Sequence, residues 1–226
     1  CALRAAIGER LAPQLSSLYS RLDSAGGYSP DAKSAGRRAL RNVALDMMAA
    51  TGKSADIDRA YGQYAAATNM TDRMAALATL SLHDVAERQL ALDDFYERHA
   101  SDALVVDKWL SLQATIPEAG ALQKVRSLAA HPAFSLANPN RVRALIGAFA
   151  QGNPTQFNRP DGAGYEFIVD TVLALDPKNP QVSARLATAF RTWRMLESGR
   201  RAKAESALTR LKTTPGLSRD LADIVE

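Results

Sequence analysis

The chain has 226 residues, 46% hydrophobic and 23% charged, an ordinary balance for a protein with a packed core and too apolar for a disordered segment. Its net charge is +4, from 28 basic and 24 acidic side chains, with a pI near 9.3; bases and acids interleave, which reads as solvated helix faces rather than a nucleic-acid-binding stripe. No apolar run approaches the ~20 residues of a membrane span, the opening CALRAAIGERLAPQL mixes Arg and Glu unlike a secretory leader, and the lone cysteine, Cys1, excludes an intrachain disulfide and a cysteine-rich zinc site; together these suggest a cytoplasmic protein with no membrane partner.

The first well-marked element runs through SPDAKSAGRRALRNVALDMMAATG. Ser29 suits an N-cap and Pro30 the first helical position, where no N–H is needed. Leu40, Val43 and Met47 recur at helical spacing as the buried stripe, and Gly52 supplies the stop. Ser54 opens the next helix, through Ala67. Asn69 or Thr71 caps DRMAALATLSL, and the charged segment DVAERQLALDDFYERHA follows. Ser101 opens DALVVDKWLSLQAT, with Val105, Trp109 and Leu112 on one face. Pro117 starts EAGALQKVRSLAAH, where Leu122, Val125 and Leu128 align. Asn138 or Asn140 begins RVRALIGAFA, with Val142, Leu145 or Ile146, and Phe149 inward.

The pattern then breaks at NPTQFNRPDGAGYEFIVD. A stretch this dense in Asn, Pro and Gly predicts a fixed corner between helix pairs, the alternative being a loop that lines a binding chamber. Pro154 and Pro160 stiffen it, Gly162 and Gly164 permit a turn or a close approach, Asp161 caps the next helix, and Tyr165 and Phe167 pin the corner into the core. Beyond it lie the helical segments GYEFIVDTVLAL, PQVSARLATAFRTWRML with Trp193 in the core, SGRRAKAESALTRLK, and a short helix from about Leu217. No alternating β-branched run suggests a strand. The chain is thus expected to be all-α, with irregular antiparallel helix pairs stacked into a curved superhelix of the HEAT or armadillo kind, forming a single domain over 1–226.

The residues show no catalytic machinery. His83, His99 and His131 lie at helix ends, none in a His-Glu-x-x-His arrangement, and without a strand there is no phosphate-binding Gly-rich loop. Surface ion pairing accounts for the acidic cluster around Asp93 and Asp94. Several arginines near the end of the chain, Arg185, Arg191 and Arg194 among them, remain as groups able to hold a carboxylate if one or two face a cavity.

The stretches VVDKWLSLQAT, NPNRVRALIGAFAQGNPTQFNRPDGAGYEFIVD and NPQVSARL, with NMTDRMAAL, resemble the C-terminal helical domain of bacterial aminopeptidase N, a family of zinc-dependent gluzincin metallopeptidases. The resemblance runs from about Tyr28 to Glu226. It implies that zinc and the catalytic residues belong to a catalytic domain of the same parent chain, and that this segment binds no metal and is inactive alone. It further implies that this domain closes the active-site chamber over a peptide substrate. In NPQVSAR, Gln181 and Arg185 are four apart and so share a helix face; the resemblance assigns both to substrate contacts on the primed side. Two rival readings are a free-standing helical-repeat scaffold for peptides or proteins, and an RNA-binding solenoid using the Arg-rich terminal helices.

Overall fold

Helix-starting residues set the element order seen in a computed structural model, which describes residues 2–23 and 27–225. Cys1 therefore lies outside the described residues. Among those that are described there is no β-strand, as the absence of alternating runs implied. The chain divides into two compact units, 1–98 and 99–226.

The first unit holds α1 (Ala2–Arg10), α2 (Ala12–Arg21), α3 (Ala32–Ala49), α4 (Ser54–Ala66), α5 (Met70–Leu80) and α6 (Ala86–His99, less its last residue). Neighbours pack as pairs, α2 on α3 and α4 on α5, with α3 also touching α5. Asn69 caps α5 by accepting the Asp72 N–H at 2.9 Å. At α3 the cap is Asp31 rather than Ser29: Asp31 accepts the Ser34 N–H at 3.0 Å, while Ser29 donates its hydroxyl to the Asp31 carboxylate at 2.6 Å. These bonds, the Ser29 hydroxyl first, hold the Asp31 carboxyl far below the usual carboxylate range.

The buried face of α3 also differs from the expected stripe. Leu40 and Val43 are 47% and 52% exposed, and the core side is Ala44, Leu45, Met48 and Ala49. Both sets have helical spacing, so the period alone does not fix the phase; the alanines win because they allow a neighbouring helix to approach closely. Inside this unit Gln63 is a polar junction. Its amide donates to Asn42 Oδ1 at 2.7 Å and to the Asp72 carbonyl at 3.1 Å, and its Oε1 accepts from the Tyr19 hydroxyl at 3.0 Å. One buried side chain thereby ties α2, α3, α4 and α5, with its hydrogen-bonding capacity satisfied.

The second unit begins with α7 (Ala103–Ala114) and α8 (Ala121–Ala129), which pack together. Asp102, not Ser101, caps α7, accepting the N–H groups of Leu104 and Val105 at 3.0 and 3.2 Å. Trp109 is buried, as its spacing suggested, with its ring 5.4 Å from that of His131. Asn138 caps α9 (Pro139–Val142), which runs through a π-helical turn, Arg143–Gly147, into α10 (Ala148–Gly152). Val142, Leu145, Ile146 and Phe149 are all buried along this run. Then follow α11 (Pro154–Phe157), α12 (Ala163–Leu175), α13 (Pro180–Ala187), two 3-10 turns (Thr188–Phe190 and Trp193–Met195), α14 (Ser198–Thr213) and α15 (Arg219–Val225).

The segment from Pro180 to Leu196, expected as one helix, thus stops after two turns and continues as 3-10 structure. Trp193 is consequently half-buried rather than in the core. Arg210 on α14 grips Glu166 and Asp170 on α12. The buried carboxylate of Asp176, just after α12, accepts both the backbone N–H and the hydroxyl of Ser218, at 2.7 and 2.6 Å, and so fastens the start of α15, which lies against α13.

Candidate functional site

The local sequence Asn-Pro-Gln-Val-Ser-Ala-Arg builds α13 and orients its side chains. Asn179 accepts the Val182 N–H at 3.1 Å and Pro180 takes the first helical position, so the entry is fixed by both capping and a preset φ. Val182, Ser183, Ala184, Leu186 and Ala187 turn inward. Ser183 is fully buried and donates its hydroxyl to the Val172 carbonyl at 3.1 Å, locking α13 to α12. The remaining face is exposed, and it carries Gln181 and Arg185.

Opposite α13 stands the 153–165 corner, which proves to be a construction of buried hydrogen bonds. Asn153 is 1% exposed. Its amide donates to the carbonyls of Ala114 and Ile116 at 3.1 and 2.8 Å, tying the corner to the end of α7, and its Oδ1 accepts from the Thr155 hydroxyl at 3.0 Å. Asp161 accepts the Ala163 N–H at 3.0 Å and pairs with Arg159, whose hydrogen bond does most to hold the Asp161 carboxyl below its ordinary range. Gly162 has φ of +78°, a left-handed conformation that α12 needs at its start. Gly164 lies against the carbonyl oxygens of Gln156 and Phe157, where no side chain fits.

This close approach brings three aromatic rings together. Phe157 meets Tyr165 edge-on at 5.2 Å and Phe190 at 5.3 Å. The Tyr165 hydroxyl donates to Asn158 Oδ1 at 3.0 Å, and burial pushes its phenol pKa up, so it stays a neutral donor. Arg200 in turn donates to the Asn158 carbonyl at 2.6 Å.

Two cavities open on this assembly. One, of about 410 Å³, is bounded by Gln151, Pro154, Asn158, Arg185, Arg191 and Trp193, with the three rings among its walls. The other, of about 280 Å³, lies between Arg143, Gly147, Gln151, Val182 and Arg185. Arg185 and Gln151 border both. Gln181, expected beside Arg185, is exposed one turn away and borders neither. Sequence reasoning passed over Arg143 and Gln151, and it placed Trp193 in the core rather than at a cavity wall. The only hint at Arg143 is that it starts the π turn, a helical irregularity often found at functional sites.

The chemistry available is recognition. Arg185 has no carboxylate partner among the described residues, and its planar fork suits a carboxylate or a peptide carbonyl. Among the described residues no three His, Cys, Asp or Glu side chains gather as a metal site needs, so they do not fit a zinc ion. His131 uses Nδ1 to accept the Ala133 N–H at 3.1 Å, a structural role. No helix is long and apolar enough among the described residues to cross a membrane.

A family described as a domain of unknown function with ARM repeats, DUF3458_C, matches residues 1–226. Aminopeptidase N of Caulobacter vibrioides is 36% identical over 222 residues, covering 98% of this chain and 26% of that protein. The Escherichia coli K12 aminopeptidase N is also 36% identical, over 97% of this chain and 25% of its own length. A solved structure of Legionella pneumophila aminopeptidase A in complex with aspartic acid superposes with a TM-score of 0.90 at 28% identity, covering 99% of this chain and 27% of that one. The chain therefore spans about a quarter of the length of the curated relatives it matches.

Proposed function

Because the chain belongs to the DUF3458_C family of ARM-repeat domains, and aligns with a quarter of two bacterial aminopeptidases N, we propose that it is the substrate-chamber domain of a zinc-dependent aminopeptidase. In that reading the parent enzyme removes N-terminal residues from peptides. Zinc and the groups that act on the scissile bond reside in a part of the parent outside this chain, and no step of the chemistry runs through its residues. The contribution of this chain is to enclose the peptide and to hold it beyond the bond being cut. Held in register, the reacting groups lose less freedom on the way to the transition state. On its own the chain is expected to be inactive.

The observation that carries the proposal is the Arg185 guanidinium, without a carboxylate partner among the described residues and bordering two cavities. Such a group gives directional hydrogen bonds to a peptide carbonyl or terminal carboxylate. Gln181, on the same exposed face, is kept as a weaker contact that a bound peptide reaches outside the two cavities. Arg143 completes the smaller cavity from the other side and donates to the Asn140 side chain at 2.8 Å, which holds it in place.

The test is kinetic. In the full-length enzyme Arg185→Ala should lower kcat/KM for peptides by about tenfold, as expected for loss of one charged hydrogen bond. Single-residue amides, which have nothing on the far side of the bond, should lose much less. An equal loss on both classes would remove Arg185 from the peptide-contact list.

A further inference from the structure

The larger of the two cavities at Arg185 shares wall residues with a third. A space of about 620 Å³ lies between the second 3-10 turn, α14 and α15, and its walls include Thr188, Phe190, Arg191 and Trp193. Those four residues also border the 410 Å³ cavity. The three spaces therefore share walls in sequence: Gln151 and Arg185 between the first pair, the 188–193 segment between the second.

Charge along this track is one-sided. Arg143 and Arg185 border the first space, Arg185 and Arg191 the second, and Arg191, Arg194 and Lys212 the third. Among the described residues Glu205 is the one acid bordering any of them. Elsewhere in this unit Arg141, Arg159, Arg200 and Arg210 each hold a carboxylate. Arg143, Arg185, Arg191 and Arg194 hold none among the described residues. Arg194 instead stacks its guanidinium over the Trp193 ring at 4.7 Å, a contact that leaves its charge unneutralised. Next to it Met195 is 84% exposed. Trp, Met and Arg together, with charge left unneutralised, are the composition of a ligand-contacting surface rather than a solvated one.

We propose that this track receives the distal part of a long peptide and favours one carrying Asp and Glu side chains there. The inference rests on the reading of Arg185 as a peptide contact and extends it: Arg191 and Arg194 become specificity-determining residues for segments well past the cleaved bond. An acidic peptide fits better than a nucleic acid because the cations are spaced by separate walled cavities holding apolar surface. That suits side chains taken one at a time rather than an evenly charged backbone.

The experiment is fluorescence anisotropy on the full-length protein with labelled, N-acetylated peptides of about ten residues, long enough to extend roughly 30 Å. One carries Asp and Glu in its C-terminal half and the other is neutral there. The acidic peptide should bind about tenfold more tightly, with the preference disappearing near 1 M salt. Arg191→Ala with Arg194→Ala should bring the ratio to about one, whereas the double Lys variant should largely keep it, which excludes simple misfolding. Arg185→Ala should weaken both peptides alike and leave the ratio standing. If Arg185→Ala affects neither peptide while the ratio still depends on Arg191 and Arg194, the Arg185 reading fails and the acidic track stands. Equal binding of both peptides by the wild-type protein, or displacement of the acidic one by lower concentrations of oligouridylate, overturns the track.

Discussion

Replacing Gly164 by Ala adds one methyl group at the tightest point of the site. A Cβ there would stand 2.6 Å from the Gln156 carbonyl oxygen and closer still to that of Phe157. Both atoms are backbone, so neither can rotate away, and α11 must separate from the start of α12 by several tenths of an ångström. The edge-on contact between Phe157 and Tyr165, now at 5.2 Å, opens with it. Overpacking in cores costs ~1–3 kcal/mol, and a rigid neighbour places this substitution at the upper end, about 3 kcal/mol. The assay is urea denaturation followed by far-UV circular dichroism, with Gly62→Ala beside it. Gly62 sits inside α4, where an added Cβ meets nothing within 4 Å beyond its own stretch of helix, so that variant should gain ~0.5–1 kcal/mol from helix propensity alone. A Gly164→Ala protein within about 0.5 kcal/mol of wild type, the error band of an ordinary surface change, would refute the argument that the corner depends on backbone contact.

Two more outcomes follow from single side chains. Asn153→Ala leaves the buried carbonyls of Ala114 and Ile116 without their donor and should destabilise by ~2–3 kcal/mol in the same denaturation assay. His83 has its pKa lowered, first by burial and then by the positive charge of Arg4. A depressed folded pKa means the unfolded chain takes up the proton first, so stability is greatest above the ordinary value of 6.5 and declines as pH falls through it. The melting temperature should therefore drop between pH 7 and pH 5, and His83→Gln should flatten part of that slope.

The all-α character was legible because helix starts are written in local chemistry. Asn69, Asn138 and Asn179 cap as their positions suggest, and Gly52 adopts a positive φ where the α3 pattern stops. The corner at 153–165 was legible too, since Pro and Gly at that density have few other uses. Phase was not. In α3 the sequence offers two stripes at the same period, and only packing against neighbours selects the alanine-rich one. The end of α13 was likewise hidden: Thr188 to Met195 has helical composition, yet tertiary contacts tighten it into 3-10 turns and bring Trp193 to a cavity wall. For the site, four-residue spacing puts Gln181 and Arg185 on one helix face, and both are exposed there. It could not say that only Arg185 borders the cavities, nor that Arg143 and Gln151, distant in sequence, stand across from it.

The fastening of Ser218 by Asp176 makes the last helix a dependent one. At seven residues α15 is far below the ~12–15 at which a helix persists alone in water, so it exists as ordered structure only while docked. Its undocking would strip cover from α13 on the side away from Arg185 and take Ile224 and Val225 out of the wall they share with Arg194. Whatever frays that segment, whether heat or a protease cutting near Gly216, thereby loosens α13 from behind.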